Sequence, residues 1–425
     1  MKIDSVVSKS IPDTRGRLTI ETTLSTQQGS TLNPNSQGRT LLRATASVPS
    51  GKSTGEHEAV ELDAARAIEN VTGEMAAALV GRDFNLLDEL DTFLIELDGT
   101  PNRSRLGANA ILSVSIAAMR LSALQDKIPL WRAIARRGGL HFGECAKCSE
   151  AKRSLKCSTP SEHTPPRLFV NVMNGGVHAG FKLPFQEYML IVGGKTSVAL
   201  PVAQKAFAKL GEMLGSGTPM GDEGGYAPIF DTLEKPFEIL AELVKEFPDT
   251  AIAIDAAASQ LFHDGAYNLL GKEYSTNELA KTYASLVGRF GVRSIEDPFD
   301  EHATDDFVRI TAAVNGKILV VGDDLTCTNP ILIAEAIEKK AINAVLIKPN
   351  QIGTVMETIK AVRETQFAGL GVIVSHRSGE TDDTFIADFA YGVGAYGIKA
   401  GGFGQKERIA KYSRLLAIER EAETM

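Results

Sequence analysis

Beyond residue 168 one pattern repeats along the chain. A short apolar run ends in a charged or polar side chain, and an amphipathic stretch follows before the next run. The runs are TAIAID, closing on Asp255, VRSIE on Glu296, KILVVGDD on Asp323 and Asp324, INAVLIK on Lys348, GVIVSHRS around His376, and the weaker AYGIK on Lys399. Their polar ends lie 41, 27, 25, 28 and 23 residues apart, taking Asp255, Glu296, Asp323, Lys348, His376 and Lys399. A strand, a turn, a helix and a return loop consume about 30 residues. The longer first interval holds HDGAYNLLGKEYS, which reads as a loop insertion. Such a series forms either a closed βα barrel or an open doubly wound sheet, and both gather ligands at the carboxyl ends of their strands. An open sheet would usually need a topological switch and a phosphate loop. The expected class is therefore α/β, with a barrel.

The first 138 residues are different. RLTIETTL (Arg17 to Leu24) alternates with period two and predicts a strand, STQQGSTLNPNSQG predicts a loop, and TLLRATASVPSG returns as a second strand. Three helical patterns follow, of which ANAILSVSIAAMRLSALQ is apolar nearly all round and should be buried. The expected division is an α+β capping domain over 1–138, a linker or surface insertion over 139–168, and a catalytic barrel over 169–425. With 43% hydrophobic residues among 425, the chain can bury the cores of two or three domains. A net charge of −8 disfavours a nucleic-acid partner without forbidding an anionic substrate. No apolar run reaches the roughly 18 to 20 residues of a membrane span. The start, MKIDSVVSKSIPDTRG, lacks an apolar signal core, and four cysteines are too few for a disulfide framework, so a cytoplasmic protein is expected.

Three successive strand ends supply Asp255, Glu296 and Asp323. Carboxylates converging there, with no fixed positive charge of their own, would repel, and a hard divalent cation such as Mg²⁺ relieves that. One Asp after a strand is more simply a helix cap, but three strands in a row favour a metal. Asp297 and Asp324 read as caps or supporting groups. Lys348 and Lys399 end later strands. Burial and nearby cations could hold Lys348 neutral as a base, or either lysine could simply pair with the carboxylates. VSHRSGET offers Ser375, His376, Arg377 and Ser378 to a phosphate or carboxylate. GDEGG sets Asp222 and Glu223 in a permissive loop, and PSGKSTGEHE is a lid or a generic flexible loop.

These segments together resemble the enolase family. DTRG, PSGKSTGEHEA, LDGTPNRSRLGANAILSVSIA, NVMNGGVHAG, QEYML, GDEGGYAP, SIEDPF, DDLTCTNP, LIKPNQIGT, SHRSGETDDTFIAD and ERIAKY run in family order over nearly the whole chain. The resemblance implies a small α+β cap on an eight-stranded βα barrel, two Mg²⁺ ions, reversible dehydration of 2-phosphoglycerate to phosphoenolpyruvate, and a homodimer. It also implies Asp255, Glu296 and Asp323 as ligands of the tightly held metal and Ser53 as a ligand of the second. Lys348 matches the base and Glu223 the acid, with Glu187 and His178 beside it. Lys399, Ser375, the His376 backbone, Arg377 and Ser378 match substrate contacts.

Two stretches depart from the family pattern. DTRGRLT stands where DSRGNPT is usual, and KAGGFG where KTGAP is usual. In the insertion, Cys145, Cys148, Cys157 and His163 could form a Cys₃His zinc set. A single C-x₂-C favours a solvated loop with incidental thiols instead. Two alternatives stand beside the enolase reading: another superfamily dehydratase or racemase, and a non-catalytic binding protein on the same scaffold.

Overall fold

The computed structural model describes residues 1–28, 40–52, 55–138, 164–180 and 182–424. The cysteines and His163 of the 139–163 stretch, and Ser53, lie outside the described residues.

The N-terminal unit opens with an antiparallel meander of β1 (Ser5–Pro12), β2 (Leu18–Gln28) and β3 (Thr40–Ser47). The DTRG segment is the β1–β2 turn, where Gly16 takes φ 76° and the Asp13 carboxylate accepts the Arg15 and Arg17 amides at 2.8 and 2.9 Å. β2 runs past Leu24 into the predicted loop, pairing Ser25 to Gln28 with Arg43 to Thr40. Ser25 and Thr26 are buried, so the ladder there overrides their loop-like composition. Ile20, Leu24, Ala44 and Ala46 form the inner face. Helices α1 (Ala64–Asn70) and α2 (Ala76–Leu79), joined through a π turn, then α3 (Leu87–Asp98), α4 (Ala108–Gln125) and α5 (Leu130–Arg137), cover it. α4 is long and apolar enough to cross a membrane, yet 14 of its 18 residues are buried in the fold, as its all-round apolar pattern predicts.

The second unit is a closed barrel. Its chain order is β4 (Arg167–Asn174), β5 (Glu187–Val192), α6 (Thr196–Leu214), α7 (Lys235–Glu246) and β6 (Thr250–Asp255). The predicted loop insertion is a small meander, β7 (Phe262–His263), β8 (Ala266–Leu269) and β9 (Lys272–Tyr274). Regular alternation follows: α8 (Thr276–Phe290), β10 (Val292–Glu296), α9 (Thr304–Val314), β11 (Leu319–Gly322), α10 (Pro330–Glu338), β12 (Ala344–Ile347), α11 (Val355–Phe367), β13 (Gly371–Ser375), α12 (Phe385–Gly392), β14 (Gly397–Lys399) and α13 (Lys406–Glu423). The ring closes in the order β10-β11-β12-β13-β14-β4-β5-β6. β5 runs antiparallel to both neighbours, so the barrel is not the uniform βα series that the strand ends suggest. A GxGxxG spacing occurs at Gly392–Gly397, but it leads from α12 into β14, the reverse of the strand–turn–helix order that binds a dinucleotide.

Period-two alternation places every second strand residue inside the ring. Phe169, Met189, Ile191, Ala253, Val321, Ala344, Leu346 and Ile373 fill its interior, while Ile254, Ile295, Val320, Val345 and Val374 belong to the core shared with the helices. Continuing the interior columns upward by two residues leads from Ala253 to Asp255, Val321 to Asp323, Leu346 to Lys348 and Ile373 to Ser375. β5 enters the same layer from its first residue, since Glu187 pairs with Asn174 on one side and Asp255 on the other.

Side chains of the N-terminal unit cap barrel elements. The α11 amides of Val355 and Met356 donate to Ser115 Oγ and Asp91 Oδ2, each at 3.0 Å. Arg120 of α4 makes a bidentate pair with Asp383 at 2.7 Å, and the same carboxylate accepts the amides of Ser47 and Phe385. Burial pushes the Asp383 carboxyl up, and Arg120 pulls it further down, so its pKa is lowered in the fold. A lowered folded pKa gives stability that is present above the unfolded carboxylate value and lost as pH falls through the folded one. Asp383→Ala, which strands Arg120, should cost about 3 kcal/mol near neutral pH, read as a lower urea midpoint. The difference from wild type should shrink once pH falls well below about 4; a constant difference down to acid pH would show that the ion pair is not its source.

Candidate active site

The mouth of the barrel concentrates charge in a dry place. Asp255, Glu296, Asp323 and Lys399 are 3%, 3%, 6% and 2% exposed, so each needs a partner of opposite sign close by. Lys399 Nζ lies 2.9 Å from Asp255 Oδ2 and 2.8 Å from Glu296 Oε1, and 3.4 Å from Glu187 Oε1. Lys348 pairs directly with Asp323 Oδ2. This corrects the sequence expectation that the three carboxylates meet without fixed positive charge: the two lysines supply it. Burial pulls both ammonium groups down, but the carboxylates outweigh it and hold both pKa values above the usual lysine range, Asp323 leading for Lys348 and Asp255 for Lys399. In this state the lysines are paired cations.

A second charged group faces them. Glu187, Glu223 and His376 bring ligand-type atoms within 4.8 Å of one another. Burial and then the facing Glu223 push the Glu187 carboxyl well up. Burial pushes Glu223 up as well, but His178 and the hydrogen bond with Glu187 hold it well below the usual range. Asn171 Nδ2 donates to Glu223 Oε2 at 3.1 Å, and His178 Nε2 lies 3.5 Å from its other oxygen. The His376 ring is held well below its usual pKa by burial and then by Arg408, so it is neutral. Its backbone amide donates to the Lys399 carbonyl at 2.8 Å. Glu187 Oε2 and His376 Nε2 are buried without hydrogen-bond partners, which leaves bonding capacity facing the interior.

Every expected site residue except Glu296, Asp323 and Ser53 lines one small polar cavity. Glu296 and Asp323 are engaged by the lysine head groups that do line it. A larger apolar cleft of about 410 Å³ lies between α8 and α9, lined by Ala280, Val287, Ile310 and Val314. It holds no comparable set of acids and bases, so the chemistry belongs to the small polar cavity.

The N-terminal unit completes the site. Glu58 takes Arg377 in a bidentate pair at 2.8 and 3.2 Å. Arg15 Nη1 donates to Ser378 Oγ at 3.2 Å, and its Nη2 to Ser50 Oγ at 2.8 Å. Lys52 bridges to Asp222 at 2.7 Å and to the Val177 carbonyl at 2.8 Å. The His178 ring, 3.9 Å from Asp222 Oδ2, and then the Lys52 ammonium outweigh burial and hold Asp222 at about 2. Sequence reasoning left out Glu58, Asn171, Arg15 and Lys52 as functional groups. Their signal was position within the family-like motifs, without a strand end to single them out. The departure at RLT is harmless to these contacts, because Arg17 and Leu18 are exposed.

The donor set fits a hard divalent cation. Asp255, Glu296 and Asp323 present carboxylate oxygens from adjacent strand ends, and an ammonium already seated between the first two shows that the space accepts a cation. Asp297 instead spends its oxygens on the Asp323 and Asp324 amides at 2.9 and 2.8 Å, a turn-forming role.

Comparison with known proteins agrees with this geometry. The family described as "Enolase, C-terminal TIM barrel domain" matches residues 162–424, and "Enolase, N-terminal domain" matches residues 3–134. A protein named Enolase from Thermococcus gammatolerans is 40% identical over 449 residues, covering 99% of this chain and 95% of its own. One of the same name from Thermococcus kodakarensis is 39% identical over 446 residues, with the same coverage.

The second departure, KAGGFG, has a structural role. The amides of Gly402 and Gly404 donate to the carbonyls of Glu223 and Gly224 at 2.8 and 2.9 Å, while Phe403 packs between Phe207 and Tyr412. A Cβ at Gly402 would stand 2.2 Å from the Gly224 carbonyl oxygen. Gly402→Ala must therefore displace the loop that carries Glu223. Misplacing a reacting group by about 1 Å can cost on the order of 100-fold. Turnover should fall by about that factor, while circular dichroism stays native; wild-type turnover would show that this contact does not set Glu223.

Proposed function

Because the chain belongs to the enolase family, we propose that it catalyses the reversible, Mg²⁺-dependent dehydration of 2-phospho-D-glycerate to phosphoenolpyruvate, with two metal ions per site. The observation that carries the reading is an opposition of acid and base. β12, which leads to Lys348, and β5, which begins at Glu187, stand four places apart in the eight-stranded ring, on opposite sides of one small cavity. An anti elimination, with the proton leaving C2 on one face and the hydroxyl leaving C3 on the other, uses a base and an acid so placed.

In this reading Lys348, as the free amine, takes the C2 proton. The electron pair left at C2 forms the C2–C3 double bond, and the C3 hydroxyl leaves as water with a proton delivered through Glu223. Glu187 and Glu223 bring carboxyl oxygens within 4.8 Å of one another, close enough to share the proton that is delivered at C3. Lys399, Arg377, Ser378, Ser375 and His376 bind and orient the anionic substrate, and His178 steadies Glu223. Asp255, Glu296 and Asp323 would hold one divalent cation and Ser53 would serve the second; bound there, such a cation would supply positive charge beside the substrate carboxylate, and Asp323 engaged in holding it would no longer pair with Lys348. That a lysine base and Mg²⁺ serve enolase-type sites is general knowledge of such chemistry. We also carry over from the family the division into a 1–138 cap, a 139–168 insertion and a 169–425 catalytic barrel, a homodimer, and a cytoplasmic location.

The primary test follows absorbance of phosphoenolpyruvate formed from 2-phosphoglycerate, with and without Mg²⁺; no metal-dependent product would sink the reading. Lys348→Ala should abolish both dehydration and exchange of the C2 hydrogen with solvent. Glu223→Gln should block dehydration yet keep some C2 exchange, since deprotonation is upstream of it. Each loss should reach about 10² to 10⁴-fold. Near wild-type C2 exchange in Lys348→Ala would assign the base elsewhere.

A further inference from the structure

The turn after β12 carries a side chain that the roles above do not use. Gln351 is 0% exposed. Its Nε2 donates to Asp323 Oδ1 at 3.0 Å and to Glu58 Oε1 at 3.3 Å. Its Oε1 accepts from Thr328 Oγ1 at 2.6 Å. Thr328 Oγ1 in turn accepts the Lys348 amide at 2.9 Å. These contacts leave the amide one orientation. Asp323 and Glu58 only accept, so the donor end of the amide faces them and Oε1 takes the single hydroxyl hydrogen of Thr328. Both Nε2 hydrogens must then face carboxylates.

The two carboxylates belong to opposite ends of the chemistry. Asp323 pairs with Lys348, and Glu58 holds the guanidinium of Arg377. The Gln351 backbone carbonyl also accepts the amide of Ala59, on the segment that carries Glu58. We propose that Gln351, oriented by Thr328, is a positioning residue that sets Asp323 for metal and for Lys348, and fixes the Glu58–Arg377 pair relative to them. The proposal rests on the enolase reading of the site. A neutral amide suits this position, because its two N–H groups satisfy two like charges at once without adding a third.

The proposal can be tested without turnover. Gln351→Met keeps length and burial but removes both donors and the acceptor. Thr328→Val touches no carboxylate but leaves Gln351 Oε1 without its donor, whereas Thr328→Ser keeps the hydroxyl. Mg²⁺ affinity of the substrate-free protein is measured by titration calorimetry, beside Asp323→Asn as a control. Supporting groups of this kind typically contribute ~10- to 100-fold to metal affinity or activity. Gln351→Met and Thr328→Val should weaken Mg²⁺ by that factor, and Thr328→Ser should bind as wild type. In the full reaction, Gln351→Met and Glu58→Gln should raise KM non-additively, because one relay is broken twice. If Gln351→Met fails to fold, the Thr328 pair alone decides. Wild-type Mg²⁺ affinity in Gln351→Met or Thr328→Val, with Asp323→Asn impaired, overturns the relay and spares the site. Wild-type affinity in Asp323→Asn overturns the metal assignment and the relay with it.

Discussion

A single buried ammonium, Lys399 Nζ, ties together the three elements that build this site. It reaches Asp255 at the end of β6, Glu296 at the end of β10 and Glu187 at the start of β5. Isolating any of these charges in a dry interior costs several kcal/mol, so the strands must converge for the group to be tolerated at all. The same arithmetic explains why the cluster is weak evidence for stability. Well-packed apolar side chains would serve the fold as well or better. Charges kept at the top of an otherwise apolar barrel are there for chemistry.

Barrel parity then determines which residues can take part. The interior below the cluster is filled by Phe169, Met189, Ala253, Val321 and Leu346, which close the floor and exclude water. One layer higher, the same columns bear charged or polar groups. The antiparallel β5 matters here. Were it parallel, its last residue Val192 would occupy the mouth and Glu187 the floor. Reversing one strand brings a carboxylate to the mouth from the beginning of a strand, opposite Lys348.

That reversal also accounts for what the sequence could and could not tell. Asp255, Glu296, Asp323, Lys348 and Lys399 were legible because each ends an apolar run, and interior columns are read along a chain. β4 and β5 do not join the rhythm, because one 3-10 turn (Gly176–His178) and loop, not an α-helix, connect them. Glu187 came from family resemblance, not from spacing. Whether the lysines were free or paired was open, since strand ends give positions but not neighbours; the structure pairs both. Glu58, Asn171 and Gln351 sit in turns and loops, where no periodicity marks a side chain as inward. Ser25 to Gln28 looked like a loop by composition and became strand through its partners on β3.

The placement of Glu58, Lys52 and Arg15 changes what the N-terminal unit is for. A barrel mouth is open by construction, and its loops alone must close it. Here three charged side chains from residues 15–58 cross to two barrel segments: Arg15 to Ser378 and Glu58 to the adjacent Arg377, and Lys52 to Asp222. None of these pairs is local, so none would form in a barrel without its cap. Arg377 would then be a buried cation stripped of its bidentate partner, and the KPNQ turn would lose Glu58 from the Gln351 amide. The capping unit thus supplies part of the electrostatic frame in which the strand-end groups are held. A chain that kept every strand-end acid and base but lost those three contacts would keep the ingredients of the site without their geometry.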